Sequence, residues 1–156
     1  MFYTIVQLGT DYKGKITDFS KARNSFIEHL GNNSWILFID NDAEPTKMLL
    51  DYLNIFNPPP EAKYYSIRTI NLINNQYSPL HNPFFWRVLV SNKVRYVGAL
   101  HEKILEEPTG IIDFPIIHNH IKDNYDMIHS YTGNIRLAVK KVKDILLKGH
   151  YDTRVV

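Results

Sequence analysis

Trp35-Ile36-Leu37-Phe38-Ile39-Asp40-Asn41-Asp42-Ala43-Glu44-Pro45 is the stretch on which the fold turns. Its unbroken apolar run suits a strand covered on both faces, as in a sheet between helix layers. The run stops at two carboxylates one residue apart. In open α/β sheets, ligands sit beyond the carboxyl ends of the strands, so Asp40 and Asp42 stand where a ligand is expected. Upstream, residues 2–8 read as a strand. Phe19, Ala22, Phe26, Ile27 and Leu30 then recur at helical spacing, with Asp18 to cap the start and Gly31 the end. Downstream, Pro45 suits the first turn of a helix running to about Phe56. Strand, helix, strand, helix in succession predicts an α/β fold with a mixed, mainly parallel sheet flanked by helices.

Asn57-Pro58-Pro59-Pro60 must stop the helix before it. Beyond the prolines the texture changes to short β-like runs at 63–72, 84–90, 94–97, 103–105 and 111–117, with a loop over 74–83. Residues 126–148 read as a long C-terminal amphipathic helix, on which Ile128, Tyr131, Ile135, Ala138, Val142 and Ile145 form the apolar stripe. Its Arg136, Lys140, Lys141, Lys143 and Lys148 read first as a solvated face. Peripheral contact with an anionic membrane surface is the alternative. No internal repeat divides the chain, so 1–156 is expected to be one domain.

Composition narrows the function classes. Of 156 residues, 44% are hydrophobic and 22% charged, which excludes disorder and collagen-like structure. Eighteen Lys and Arg against 16 Asp and Glu leave a net charge of +2, with no general pull toward nucleic acid. The chain has no cysteine, which excludes disulfides, thiolate chemistry and cysteine-ligated zinc. No apolar run reaches the roughly 18 residues of a membrane span, and the N-terminus lacks the pattern of a secretory signal. The expected location is cytoplasmic, at the membrane surface if the basic helix makes that contact. Two nearby carboxylates can hold a divalent cation. Oxygen ligands favour Mg²⁺ or Mn²⁺, which can clamp a diphosphate and neutralise charge on a departing phosphate. The competing reading is an acidic turn that favours the N-terminus of the next helix.

A family comes into view when the earlier helix is added. Asp18-Phe-Ser-Lys-Ala-Arg-Asn24 followed by Trp35–Asp42 resembles family 2 glycosyltransferases with a GT-A fold. Many of these carry DFSxARN ahead of an apolar strand ending in Asp-x-Asp. Residues 84–104 resemble their later segment, where an Arg-containing strand and turn lead to a His-Glu pair. Residues 111–147 resemble a strand ending in His followed by a helix. The resemblance implies a GT-A-like sheet and metal-dependent, inverting transfer of a sugar from a nucleotide-sugar donor to a hydroxyl of a glycan, lipid-linked or protein acceptor. It implies Asp42 as the ligand of Mn²⁺ or Mg²⁺, and Asp40 as a contact to the donor or the metal. Arg23 and Asn24 would lie near the donor, with His101 beside them. Glu102 would be the general base. His118 or His120 would be the later metal or phosphate contact, and the choice between them stays open.

The residues also carry plainer readings. Arg23 falls on the apolar side of its helix, where a charge needs a partner such as Asp18 or Asp40. Glu102 can be a loop carboxylate, and each histidine can be structural. A third reading takes Asp40 as the nucleophile of a haloacid-dehalogenase-like phosphotransferase, but Glu44 stands where that motif has Thr or Val. Family members usually begin with a strand ending near Asn-Glu and a later Asp-x-Gly-Ser strand, which build much of the base pocket. Only 17 residues precede DFSKARN, and neither pattern is present. The expectation is therefore a trimmed version or a fragment. A non-catalytic GT-A-like binding domain and a partner-dependent fragment, with a homo-oligomer among the arrangements, stand as alternatives.

Overall fold

The computed structural model describes residues 1–99 and 101–120. The apolar run forms β2 (Ser34–Ile39), with Trp35 to Ile39 all buried. Before it come β1 (Phe2–Gln7), a four-residue helical turn α1 (Leu8–Asp11) and α2 (Phe19–Ile27). After it come β3 (Ala43–Pro45), α3 (Lys47–Ile55), β4 (Tyr64–Ile73), β5 (Gln76–Tyr77), β6 (Phe84–Val90) and β7 (Gly110–His120), with a 3₁₀ turn at Pro79–His81. The helix expected over 126–148, and the basic face on it, lie outside the described residues. Among the described residues no helix is long and apolar enough to cross a membrane.

The fold is α/β, with seven strands in one mixed sheet ordered β1-β2-β6-β4-β7-β3 and β5 attached to β4. The sheet is not mainly parallel. Among the described residues only β1–β2 and β4–β7 pair in parallel. The pairs β2–β6, β3–β7, β4–β5 and β4–β6 are antiparallel. The reason lies in the connections: helix α2 carries the chain between the parallel strands β1 and β2, whereas β4 returns to β6 through β5 and a 3₁₀ turn with no helical crossover, a connection that suits antiparallel pairing. The alternation of strand and helix thus describes only the chain up to the prolines.

Local chemistry explains the element ends. Asp18 caps α2 by accepting from the Lys21 amide at 3.1 Å and the Ser20 hydroxyl at 2.7 Å. The helix closes at Glu28, not at Gly31. Pro45 ends β3 and does not open α3. The cap is Thr46, whose Oγ1 accepts from the Leu49 amide at 3.2 Å and donates to the Pro115 carbonyl at 2.7 Å. Of the short runs expected at 94–97 and 103–105, only a Val97–Lys103 bridge forms. The core gathers fully buried Leu37, Phe38, Ile67, Leu89 and Ile116 from the sheet, Ile27 from α2, and Leu49 and Leu53 from α3.

One irregularity positions the site. The β2–β6 ladder consists of Ile36–Val90 and Leu37–Leu89 alone. Between Leu89 and Arg87, β6 shifts register against β4, leaving Val88 as the extra residue. Such a bulge bends its strand and increases the local twist. From there β6 parts from the end of β2, and a cleft opens between them.

Candidate metal and ligand site

The cleft has a volume of ≈ 850 Å³, and Arg23, Phe38, Asp40, Asp42, Trp86 and Glu102 are among its walls. β2 delivers Asp40 at its end. The chain then turns, with the Ala43 amide donating to the Asp40 carbonyl at 3.1 Å. That turn separates the two carboxylates. Asp42 is carried toward the β3–β7 pair, where Ala43 lies opposite His118. His118 and His120 are two residues apart on β7, so their side chains share one face.

The result is a cluster. His118 Nε2 lies 2.8 Å from Asp42 Oδ1, and His120 Nδ1 lies 3.1 Å from Asp42 Oδ2. One ligand atom from each of Asp42, His118 and His120 falls within 4.8 Å of the others. His118 is buried, and its ring lies 5.0 Å from that of Trp86 and 4.0 Å from that of His120. Two imidazoles and one carboxylate form a donor set that fits a divalent transition ion. Imidazole nitrogen suits such ions, whereas Mg²⁺ prefers an all-oxygen set. Of the residues read as metal ligands from sequence, Asp42 and His118 are brought together and Asp40 is not in the group. His120 joins it, so the choice between the two histidines does not arise.

Asp40 lines the cleft and is exposed to solvent. Although a solvent molecule can reach it, the surrounding walls strip much of its hydration and push its carboxyl above the ordinary carboxylate range. Arg23 and His118 oppose that shift, while Asp42 and Glu102 add to it. Arg23 finds neither Asp18 nor Asp40 as its ion-pair partner. Its Nε binds Glu102 Oε1 at 3.0 Å, with the two side chains 12% and 16% exposed. The guanidinium also lies 4.9 Å from the Phe38 ring centre and 5.2 Å from that of Tyr96.

Asn24 is outside the cleft lining and turns to the backbone. Its Nδ2 donates to the Tyr96 carbonyl at 2.9 Å, and its Oδ1 accepts from the Tyr96 amide at 2.8 Å. The Tyr96 hydroxyl donates to the Arg87 carbonyl, exposed where β6 leaves β2, and burial holds this phenol well above its usual range. Arg87 itself donates to the Ile104 carbonyl at 2.7 Å. His101 is exposed on the turn after Gly98, whose φ of +98° suits glycine. Together these contacts pin the 96–104 segment so that Glu102 enters the cleft.

Sequence reading missed Asn71, which lies opposite His118 across the β4–β7 pair and approaches its Nδ1 at 2.9 Å. Nothing in a lone Asn within a strand marks it as a site residue. No family model and no curated protein matches this chain.

Proposed function

We propose that this chain is a GT-A-like domain that transfers a sugar from a nucleotide-sugar donor to an acceptor hydroxyl, dependent on a divalent metal. The observation that carries the reading is the convergence of Asp42, His118 and His120 beside a cleft that also holds Asp40, Arg23 and Glu102. A cation held by those three side chains, Mn²⁺ before Mg²⁺, would neutralise charge on the departing nucleotide diphosphate. Asp40, outside the ligand group, would accept hydrogen bonds from donor hydroxyls. Glu102 would take the proton of the acceptor hydroxyl, and its ion pair with Arg23 fixes where it sits. Trp86 would offer an apolar wall to the donor or acceptor. Inversion at the anomeric carbon follows from the resemblance to family 2 glycosyltransferases.

A second reading keeps the same ligand without the transfer: a GT-A-like binding domain. Its support is specific. Glu102 is engaged by Arg23, and Asn24 spends its amide on Tyr96.

The test is thermal unfolding with UDP, GDP and dTDP, each with and without Mn²⁺, on wild type and Asp42→Ala. A ligand at about a hundred times its Kd adds roughly 2.7 kcal/mol, and each kcal/mol moves Tm by about 2–4 °C at this size. A Mn²⁺-dependent rise for one nucleotide, absent in Asp42→Ala, supports a donor site. Nucleotide release from the matching nucleotide-sugar then selects transfer over binding. No shift with any nucleotide sinks both readings for this chain alone.

A further inference from the structure

We propose that Asn71 is a positioning residue that presets His118 to bind a metal through Nε2, an inference that rests on the metal-site reading above. The chain of hydrogen bonds leaves little freedom. Asn71 Nδ2 lies 2.8 Å from the His81 carbonyl oxygen. A carbonyl can only accept, so the amide nitrogen must face it and Oδ1 must face the other way. Oδ1 is 2.9 Å from His118 Nδ1. An amide oxygen can only accept as well, so Nδ1 carries the hydrogen. In a neutral ring, Nε2 then bears the lone pair.

That lone pair is aimed at Asp42 Oδ1, 2.8 Å away. Two acceptors at that separation repel unless a proton lies between them or a metal ion coordinates both from the side. The Asn71 side chain thus dictates not only which nitrogen is available but that the position between His118 and Asp42 attracts positive charge. Partners of this kind behind a ligating histidine fix its tautomer and orientation.

Asn71 is itself held at both backbone ends. Its amide donates to Asn82 Oδ1 at 3.0 Å, and its carbonyl accepts from Asn82 Nδ2 at 3.0 Å and from the Ser78 amide at 3.2 Å. Asn82 Nδ2 also donates to the Ser78 carbonyl at 2.6 Å. The 78–82 loop therefore clamps Asn71 from one side while His118 occupies the other. Both residues are buried, Asn71 9% and His118 7% exposed, so water cannot easily replace the bond between them.

The test reads the tautomer directly. Long-range ¹H–¹⁵N NMR of metal-free wild type is expected to show a hydrogen on His118 Nδ1. Asn71→Leu is expected to lose the hydrogen from Nδ1 and keep it on Nε2, where Asp42 accepts it. Asn71→Asp is expected to keep the hydrogen on Nδ1, because a carboxylate oxygen still accepts it, while losing stability because its second oxygen faces the His81 carbonyl without a hydrogen to donate. Calorimetric titration with Mn²⁺ and Zn²⁺ is expected to show affinity lower by about 10–100-fold in Asn71→Leu, and no such loss in Asn71→Asp. A wild-type His118 with no hydrogen on Nδ1 overturns the proposal without any variant. Equal metal affinity of wild type and Asn71→Leu removes the role of Asn71 while leaving the metal site standing. Failure of wild type to bind either ion removes the metal site itself, whatever the tautomer.

Discussion

Glu102→Gln should destabilise the fold, because Glu102 is the counter-ion of a largely buried arginine. The Arg23–Glu102 contact is 3.0 Å long, with side chains 12% and 16% exposed. Two unit charges whose centres are about 4 Å apart attract by about 4 kcal/mol at an effective dielectric constant of 20. Desolvation of both groups reduces the net worth of the pair. Exposed pairs return about 0–1 kcal/mol, while removing one partner of a buried pair costs about 3–5 kcal/mol. Exposure this low places the pair nearer the buried limit. Gln keeps an acceptor for Arg23 Nε, and Phe38 and Tyr96 still face the guanidinium, so we expect a loss of about 2–3 kcal/mol. At this chain length that lowers Tm by about 4–12 °C. Denaturant unfolding of wild type, Glu102→Gln, Arg23→Met and the double variant closes a cycle. The double variant should recover part of the loss, because no uncompensated charge remains. A midpoint unchanged in Glu102→Gln at constant m, with no coupling in the cycle, would refute the reasoning and leave Glu102 as an unrestrained carboxylate. The same variants bear on chemistry. If Glu102 takes the acceptor proton, Glu102→Gln loses turnover far beyond its loss of stability, and Arg23→Met retains more of it.

Thr46→Ala removes both the cap of α3 and the bond to Pro115, and should cost about 1–2 kcal/mol in denaturant unfolding, with Thr46→Ser close to wild type; a neutral Thr46→Ala would mean the cap is not formed. Leu53→Ala empties a fully buried position under α3 and should cost about 2–5 kcal/mol by the same assay. Asp18 contributes to the acid limb of stability. Hydrogen bonds from Ser20 and the Lys21 amide hold its carboxyl below the reference value of 3.8, so its contribution is present above that value and fades as pH falls through the lower folded one. A stability–pH profile of Asp18→Asn should therefore be flatter than wild type below about pH 4, and identical slopes would rule the cap out as the cause.

Much of the local structure was legible because it is set by neighbours in sequence. The unbroken run from Trp35 to Ile39 could only be satisfied between two covered faces, and β2 is buried throughout. Asp18 had an apolar helical stripe just after it and became a cap. Pro45 misled because a proline opening a helix and a proline closing an edge strand share the same φ. What distinguishes them is the Pro115 carbonyl, 70 positions away, which accepts from both the Thr46 amide and its hydroxyl. The parallel character of the sheet was overread for a related reason: hydrophobic runs report burial, not strand direction.

The sequence by itself determined which carboxylates end the buried strand, that a strand of β-branched residues leads to His118 and His120, and that an arginine on an apolar helix face must find a counter-charge. It could not say which counter-charge. Arg23 met Glu102 across 79 positions, because α2 and the 96–104 turn are brought together by Asn24 and Tyr96. Nor could spacing alone separate Asp40 from Asp42, both in the cleft wall, since one backbone turn carries only the second to the histidines. Metal-ligand geometry and ion pairing depend on distances of about 3 Å between atoms, and only the packing of β3 on β7, and of β7 on β4, fixes those distances.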